Sequence, residues 1–426
     1  VPAPGAEGRA VLQTLVLQTL RWLALGAGCA ALVASRRPDV LLHAAFWGDD
    51  GWSWYPNAYN EGLAAFAVPV NGYLNTFQRL VALLAQPLPL AWAPTLFALA
   101  ALAAQVGPPM FLLTARMASV WPRRGARVLA ALVLLLLPNE IEPFVNLTNA
   151  PWHLALLAFL VLATAPPRRG AWAAFDASAV TAAGLSGPFC LALLPVALAR
   201  RAAVRDWRVW LLAATAFVQT AFLLSAPHGG RSLAPLGADI AGFARIIVLQ
   251  VVIGAEAGYR TARVLLVAPV WRDAALPLAA CAGAMVLAAV AFLRGSMLLR
   301  RFCVFAAIML AAALMRPQVS LADAQWPILA IPPMGNRYFF FPMLAWLAVL
   351  LTLAGDRSRV LRTAGVLLLL PVVFWAIPHD WRALDFPATG FAARARAFAA
   401  GPPGICMSFP ILPPDAAPMM LSKRNP

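Results

Sequence analysis

At 426 residues, 62% apolar and 12% charged, the chain carries about half the charge fraction of a soluble domain. Its mean hydropathy of +0.76 excludes disorder and collagen-like repeats. Long continuous apolar runs argue for helical membrane spans and against the alternating strands of a membrane β-barrel. The net charge of +16 is nearly all arginine, with Lys423 the single lysine. The arginines cluster between apolar runs, at 123–127, 168–169, 200–208, 294–301 and 357–362. That is the positive-inside pattern of a membrane protein, and it accounts for the charge without a nucleic acid partner.

In chain order, residues 1–15 read as an amphipathic lead-in and 16–34 as a first, uncleaved span with its N-terminus inside. Arg36 and Arg37 then fall on the outer side, against the charge rule; weak selection or an anionic lipid head group accounts for them. Residues 38–79 form the first outer loop, whose centre, Phe46 to Glu61, reads FWGDDGWSWYPNAYNE. Asp49, Asp50 and Glu61 are its acids, and carboxylates beside hydrocarbon are costly enough to suggest a function. Trp47, Trp52, Trp54 and Tyr55 suit an interface. Segments 62–70 and 73–84 read as short helices lying along the surface. Residues 80–115 are uncharged over 36 residues, well beyond the roughly 20 that a crossing needs. Pro87, Pro89 and Pro94 mark the expected break.

A third span begins at 128 and leads into a second polar loop, 139–153, which reads NEIEPFVNLTNAPWH. It holds Glu140, Glu142, Asn146, Asn149 and His153 and no arginine or lysine. The fourth span returns to Arg168 and Arg169. That pair and Arg200-Arg201 both belong inside, so the chain between them crosses twice, as two short helices meeting at the 184–188 turn, GLSGP. Residues 209–226 exit again. The interval 227–273 mixes His228, Arg231, Asp239, Arg245, Glu256, Arg260, Arg263, Arg272 and Asp273. Its apolar run, 246–255, is too short to span; it reads as a re-entrant or surface helix or part of a tilted pair, with zero or two crossings. Spans at 274–293, 302–315, 338–354 and 363–377 follow, with a third polar loop at 316–336 and a proline-rich outer tail. The reading is an all-α polytopic membrane protein with about 11 transmembrane helices, a transmembrane domain over 1–377 and a short cap over 378–426. No two-halves repeat of a secondary transporter is visible. The five scattered cysteines have no ligand-spaced pair, so neither a disulfide framework nor a cysteine metal site is expected.

All three polar loops land on the outer side. A carboxylate there can take the proton of an acceptor hydroxyl, arginines can hold a phosphate bidentately, and an apolar groove can hold a lipid tail. Candidate donor-phosphate ligands are Arg337, Arg263, Arg260 and Arg245. Candidate substrate contacts are Glu61, Asn75, Glu140, Glu142, Asn149, His153 and Tyr338.

Adjacent acids straight after the first span, more acid in the next outer loop and about eleven spans resemble the GT-C superfamily of integral membrane glycosyltransferases. So do NRYFFFP at 336–342 opening a late span, and the tail segments FPILPP at 409–414 and 419–423. Among the bacterial members the chain most resembles the uncharacterised or O-antigen-modifying glucosyltransferase-like proteins. The large soluble C-terminal domain that the family often carries is nearly absent. The resemblance implies a polyprenyl-phosphate sugar donor, an envelope glycan or lipid acceptor, and transfer with inversion. It implies a multi-pass protein of the bacterial inner membrane with its active site facing the periplasm. In the family's pattern the first-loop acid is the catalytic base; Asp49 or Asp50 inherits that role, with Asp50 preferred. No cofactor is required. Some members bind a divalent cation beside these acids, for which Asp49, Asp50, Glu140 and His153 would be the ligands. The rival readings are a lipid-linked glycan transporter, marked by polar residues at mid-membrane depth, and a non-catalytic envelope-assembly partner.

Overall fold

The computed structural model describes residues 6–168, 170–200, 203–225, 232–271, 273–382, 386 and 388–424. Among them, eight helices are long and apolar enough to cross a membrane, which establishes an all-α polytopic membrane protein. These eight are α1 (Ala6–Arg36), α3 (Ala93–Leu112), α8 (Trp207–Ser225), α9 (Ile240–Val267), α10 (Ala275–Arg294), α11 (Met297–Met315), α12 (Asn336–Ala354) and α13 (Arg359–His379). Shorter apolar helices are α2 (Thr76–Ala85), α5 (Ala150–Ala163) and α7 (Phe189–Leu198). Alongside them run α4 (Arg124–Leu135), α6 (Ala171–Gly184) and, in the tail, α14 (Phe391–Ala400).

The helix α5 is apolar all round and buried on nearly every face, as a central helix must be. It packs between α3 and α6, and α12 closes the other side of the core against α11 and α13. Stacked Phe159 and Phe305 and the T-shaped pair Phe305 and Phe341 tie α5, α11 and α12 together. The outermost helices, α1 and α13, are only 11% and 17% buried along their apolar windows and present their leucines and valines outward. Local chemistry starts the helices where the chain turns: Ser296 Oγ accepts from Leu299 N–H at the head of α11, and Asp239 Oδ1 accepts from Gly242 N–H (2.7 Å) at the head of α9. The expected break after the first outer loop is present, between α2 and α3 at 86–92. The 184–188 turn joins α6 and α7, whose lengths are short for a crossing.

Where α13 crosses α12 the backbones nearly touch at Gly365. A Cβ there would overlap the Ala354 nitrogen and lie 2.9 Å from the Leu350 carbonyl oxygen. Gly365→Ala is therefore expected to cost about 1–3 kcal/mol by pushing the helices apart. The thermal midpoint in detergent reads this out, and an unchanged midpoint would mean that α13 shifts freely.

The end of the bundle carrying residues 38–79 is called the loop face, and the opposite end the arginine face. The helix α9 is long enough to cross, but its contacts on either side of its kink lie at the loop face. Near its start Phe243 meets Trp326, and Gln250 donates to the carbonyls of Leu329, Ile331 and Met334. Beyond a kink at Gly258 (φ 81°), Tyr259 N–H donates to Asp380 (2.8 Å), where α13 ends. These contacts favour the re-entrant or surface helix among the alternatives for 227–273. His228, Arg231 and Arg272 lie outside the described residues.

Two expectations are corrected. The first span does not begin after a separate lead-in, because one helix runs from Ala6 to Arg36. Arg36 and Arg37 face neither lipid nor solvent. Arg36 donates to the carbonyls of Leu135 and Leu137, and Arg37 pairs with Asp39. Arg36 is buried because α4 ends beside it with carbonyls that lack helical partners, and Arg37 lies over the Phe386 ring. In the tail, β1 (Cys406–Phe409) and β2 (Met419–Ser422) pair as an antiparallel hairpin.

On the arginine face, several positively charged residues act inward. Asp176 of α6 is bound by Arg116 (2.5 and 2.7 Å) and Arg208 (2.8 Å), and Asp206 by Arg208 and Arg200. Arg208 also donates to the carbonyls of Val161 and Thr164 at the end of α5. Arg169 and Arg201 lie outside the described residues.

Candidate active site

The first loop is folded over the end of the bundle by Arg79 of α2. Its guanidinium is buried, donates to the Ser53 and Val68 carbonyls (3.2 and 3.1 Å) and lies over the Trp54 ring. A second anchor is Gln219 of α8, which donates to the carbonyls of Leu74, Gly184 and Gly187 and accepts from Leu74 N–H. Asn75 belongs to this anchor. Its backbone bridges Ser186, and its side chain bonds Tyr73 and Gln78.

The two aspartates, adjacent in sequence, are placed differently. Asp50 is buried, accepting from Thr148 Oγ (2.7 Å) and Trp47 N–H (3.3 Å). Burial pushes its carboxyl up to about 7, against the lowering effect of the Thr148 and Trp47 bonds. Asp49 is half-buried and has no hydrogen bond or ion pair among the described residues. Burial raises its carboxyl, and the charges of Arg337 and Arg79 pull it back down. The tail closes over Asp50. Leu412 N–H donates to Phe46 O and Leu412 O accepts from Gly48 N–H (2.8 and 2.7 Å), with Ile411 against Gly51. A cavity of about 20 Å³ remains beside Asp50, bounded by Arg37, Trp47, Asn146 and Leu412, room for one water.

The second polar loop supplies the rest. Glu142 pairs with Arg337 (2.8 Å) and also accepts from the Arg337 N–H (3.2 Å). Arg337 further donates to Gln318 O (2.7 Å) and to the Tyr338 hydroxyl (3.2 Å), over whose ring it lies. Asn149 donates to Glu142 O, and Asn336 accepts from Ile141 N–H. Within this loop Val145 adopts φ 44°, a strained conformation for a β-branched residue, and its N–H is held by Gln105.

Behind this lies a separate buried group. Glu140 is 1% exposed and faces Gln105 Nε2 (3.3 Å), His153 Nε2 (3.4 Å) and Arg36 (4.0 Å), while its Oε1 has no hydrogen bond among the described residues. His153 Nε2 lies 3.0 Å from Pro143 O. Burial pushes Glu140 up to about 8, with Arg36 opposing. The linked stability has a definite sign. The folded chain holds this proton up to about pH 8 and the unfolded chain releases it near the usual glutamate value of about 4.3. Stability is therefore lost as pH rises from about 4 to 8, and Asp50 contributes in the same direction up to about 7. Glu140→Gln is expected to reduce the fall in thermal midpoint between pH 5 and pH 8; a fall as large as in the parent chain would mean that Glu140 is ionised throughout.

The structure thus brings Asp49, Asp50, Glu142, Asn149, Arg337 and Tyr338 to one end of the bundle, and places Glu140 and His153 just behind them. Of the α9 arginines, Arg245 and Arg263 stand on opposite sides of the kink at Gly258, and Arg260 donates to the carbonyls of His379 and Arg382. Glu61 is exposed, within electrostatic reach of Arg79. Among the described residues no group of three or more His, Cys, Asp or Glu is arranged to hold a metal ion. Two contributors escaped the sequence reading. Arg79 stands one residue before a long apolar run and reads as its flank; Thr148 is an uncharged hydroxyl with no local pattern.

No family model, no curated protein and no solved structure matches this chain.

Proposed function

We propose that the chain transfers a monosaccharide from a polyprenyl phosphate to an acceptor hydroxyl at the loop face. The observation that supports this best is an unbonded, half-buried carboxylate, Asp49, whose proton affinity is set by burial against the charges of Arg337 and Arg79. Such a group suits a general base, since its affinity is raised toward the pH at which it works. On this reading Asp49 takes the acceptor proton as the acceptor oxygen bonds the anomeric carbon. The bond from that carbon to the donor phosphate breaks, and the phosphate leaves with the electron pair toward Arg337. Attack opposite the leaving group inverts the anomeric centre. Arg337 is already oriented by Glu142, so little ordering remains to be done on binding. Asp50 and Thr148 hold the turn that presents Asp49. The reading takes every labelled helix from α1 to α13 except α2 and α9 as a crossing, about eleven, with the loop face in the periplasm of a bacterial inner membrane. The donor's isoprenoid chain stays in the bilayer, and the acceptor is an envelope glycan or lipid. Neither a metal nor another cofactor is needed for this displacement.

A second reading, transport of a lipid-linked glycan, is favoured by Glu256, which is bonded to Trp346 halfway along α12. The deciding experiment offers purified protein a panel of radiolabelled polyprenyl-phosphate monosaccharides, with membrane extract as acceptor. Sugar release with one donor, lost in Arg337→Gln, supports transfer. No release with any donor, together with scrambling of lipid-linked glycan in proteoliposomes that depends on Glu256, supports transport.

A further inference from the structure

A second cavity lies far from the acids. A groove of about 700 Å³ opens at the arginine face between α4, α5, α11 and α12. Its walls are apolar, formed chiefly by Leu129, Val133, Phe159, Phe302 and Leu344. Along α12 it runs from Leu344 to Gly355, about 16 Å at 1.5 Å per residue, so it reaches well into the hydrocarbon layer. The mouth has the opposite character. Arg123, Arg294 and Arg357 surround it, with Ser296 at the start of α11.

These mouth charges are unequally committed. Asp356 neutralises Arg294 through two short bonds (2.7 and 2.9 Å). Arg123 and Arg357 are exposed and have no ion pair among the described residues, which leaves two uncompensated positive charges at the opening. The N-terminus of the 19-residue α11 adds its unpaired N–H groups at the same place. A long apolar slot in the bilayer with a cationic rim at the membrane surface is complementary to a lipid that carries its negative charge next to its acyl chains.

We propose that this groove is a binding site for one anionic glycerophospholipid of the adjoining leaflet. An acyl chain fills the slot, and the phosphate lies between Arg123 and Arg357 at the head of α11. Neutral phospholipids of the same chain length fill the slot but gain nothing from the rim. The site is independent of the transfer reaction proposed above, which is placed at the other end of the helices.

Native mass spectrometry of the full chain in detergent tests this, with titrations of phosphatidylglycerol, phosphatidylcholine and a short polyprenyl phosphate. The expected result is one saturable site that prefers phosphatidylglycerol over phosphatidylcholine by about tenfold or more. In R123Q/R357Q that preference disappears and the weaker phosphatidylcholine binding persists. Ala130→Trp, which fills the slot, lowers binding of both. Because Arg123 and Arg357 are exposed, their double variant is expected to fold even if Ala130→Trp does not. Equal binding of the two phospholipids by the parent chain would overturn the proposal, as would a preference that survives R123Q/R357Q. Saturation by the polyprenyl phosphate alone would also overturn it, assigning the groove to an isoprenoid lipid instead.

Discussion

Asp49→Asn is expected to lower sugar transfer by about 10²–10⁴-fold, the usual contribution of a general base, and to leave thermal unfolding close to that of the parent chain. Asp49 is engaged in no hydrogen bond or ion pair among the described residues, so the amide removes a proton acceptor without breaking a contact. Asp50→Asn should behave in the opposite way. Its carboxylate is held by Thr148 and Trp47 under the tail, so the amide loosens the turn, lowers the midpoint and reduces turnover only modestly. The pH profile adds a second readout. A base works only when deprotonated, and burial raises Asp49 above the usual aspartate value. The acid limb of turnover should therefore lie above about pH 4 and vanish from the residual activity of Asp49→Asn. Full turnover in Asp49→Asn, beside an inactive but stably folded Asp50→Asn, would transfer the role to Asp50.

The second large effect is structural and lies on the arginine face. Asp176→Asn leaves Arg208 buried with one of its two carboxylates gone and strips Arg116 of its partner. Removing one member of a buried charge set costs about 3–5 kcal/mol, because the remaining charge is left without compensation in a low-dielectric surrounding. Because both Asp176 and Arg208 are fully buried, added salt should hardly change the loss. The control is Asp356→Asn, whose partner Arg294 is half exposed, for which a much smaller, salt-sensitive loss is expected. Thermal unfolding of both variants at low and high salt separates the cases. Equal, salt-sensitive losses would mean that water reaches Asp176.

The helical architecture was legible because membrane spans advertise themselves by length and hydropathy, and because Pro87–Pro94 and the 184–188 turn interrupt the apolar runs where helices must end. The approach of Glu142 to Arg337 was half legible. Both residues could be assigned to polar loops on one side, but their pairing across 195 residues leaves no local trace. The burial of Arg36 was misread for a physical reason: an arginine just past a span looks the same whether it meets lipid phosphates or the open carbonyls of a neighbouring helix end. The position of α9 was ambiguous because amphipathic length does not say which way a helix points; the carbonyls of 329–334, captured by Gln250, tie its first half to the third polar loop. The distinction between Asp49 and Asp50 needed the tail, whose backbone pairing with residues 46–48 has no signature in either segment.

That pairing also imposes an order of events in the cell. Membrane proteins are inserted as they are made, and domains form from the N-terminus onward. Residues 46–51 enter the bilayer surface early, yet the segment that closes them, Leu412 by its backbone and Ile411 by its side chain, is synthesised about 360 residues later. At roughly 5–20 residues per second, the acidic turn waits on the order of 20–70 s, open to water and to quality-control proteases. Ribosomes that stall before residue 411 leave an inserted bundle whose acidic turn lacks its cover.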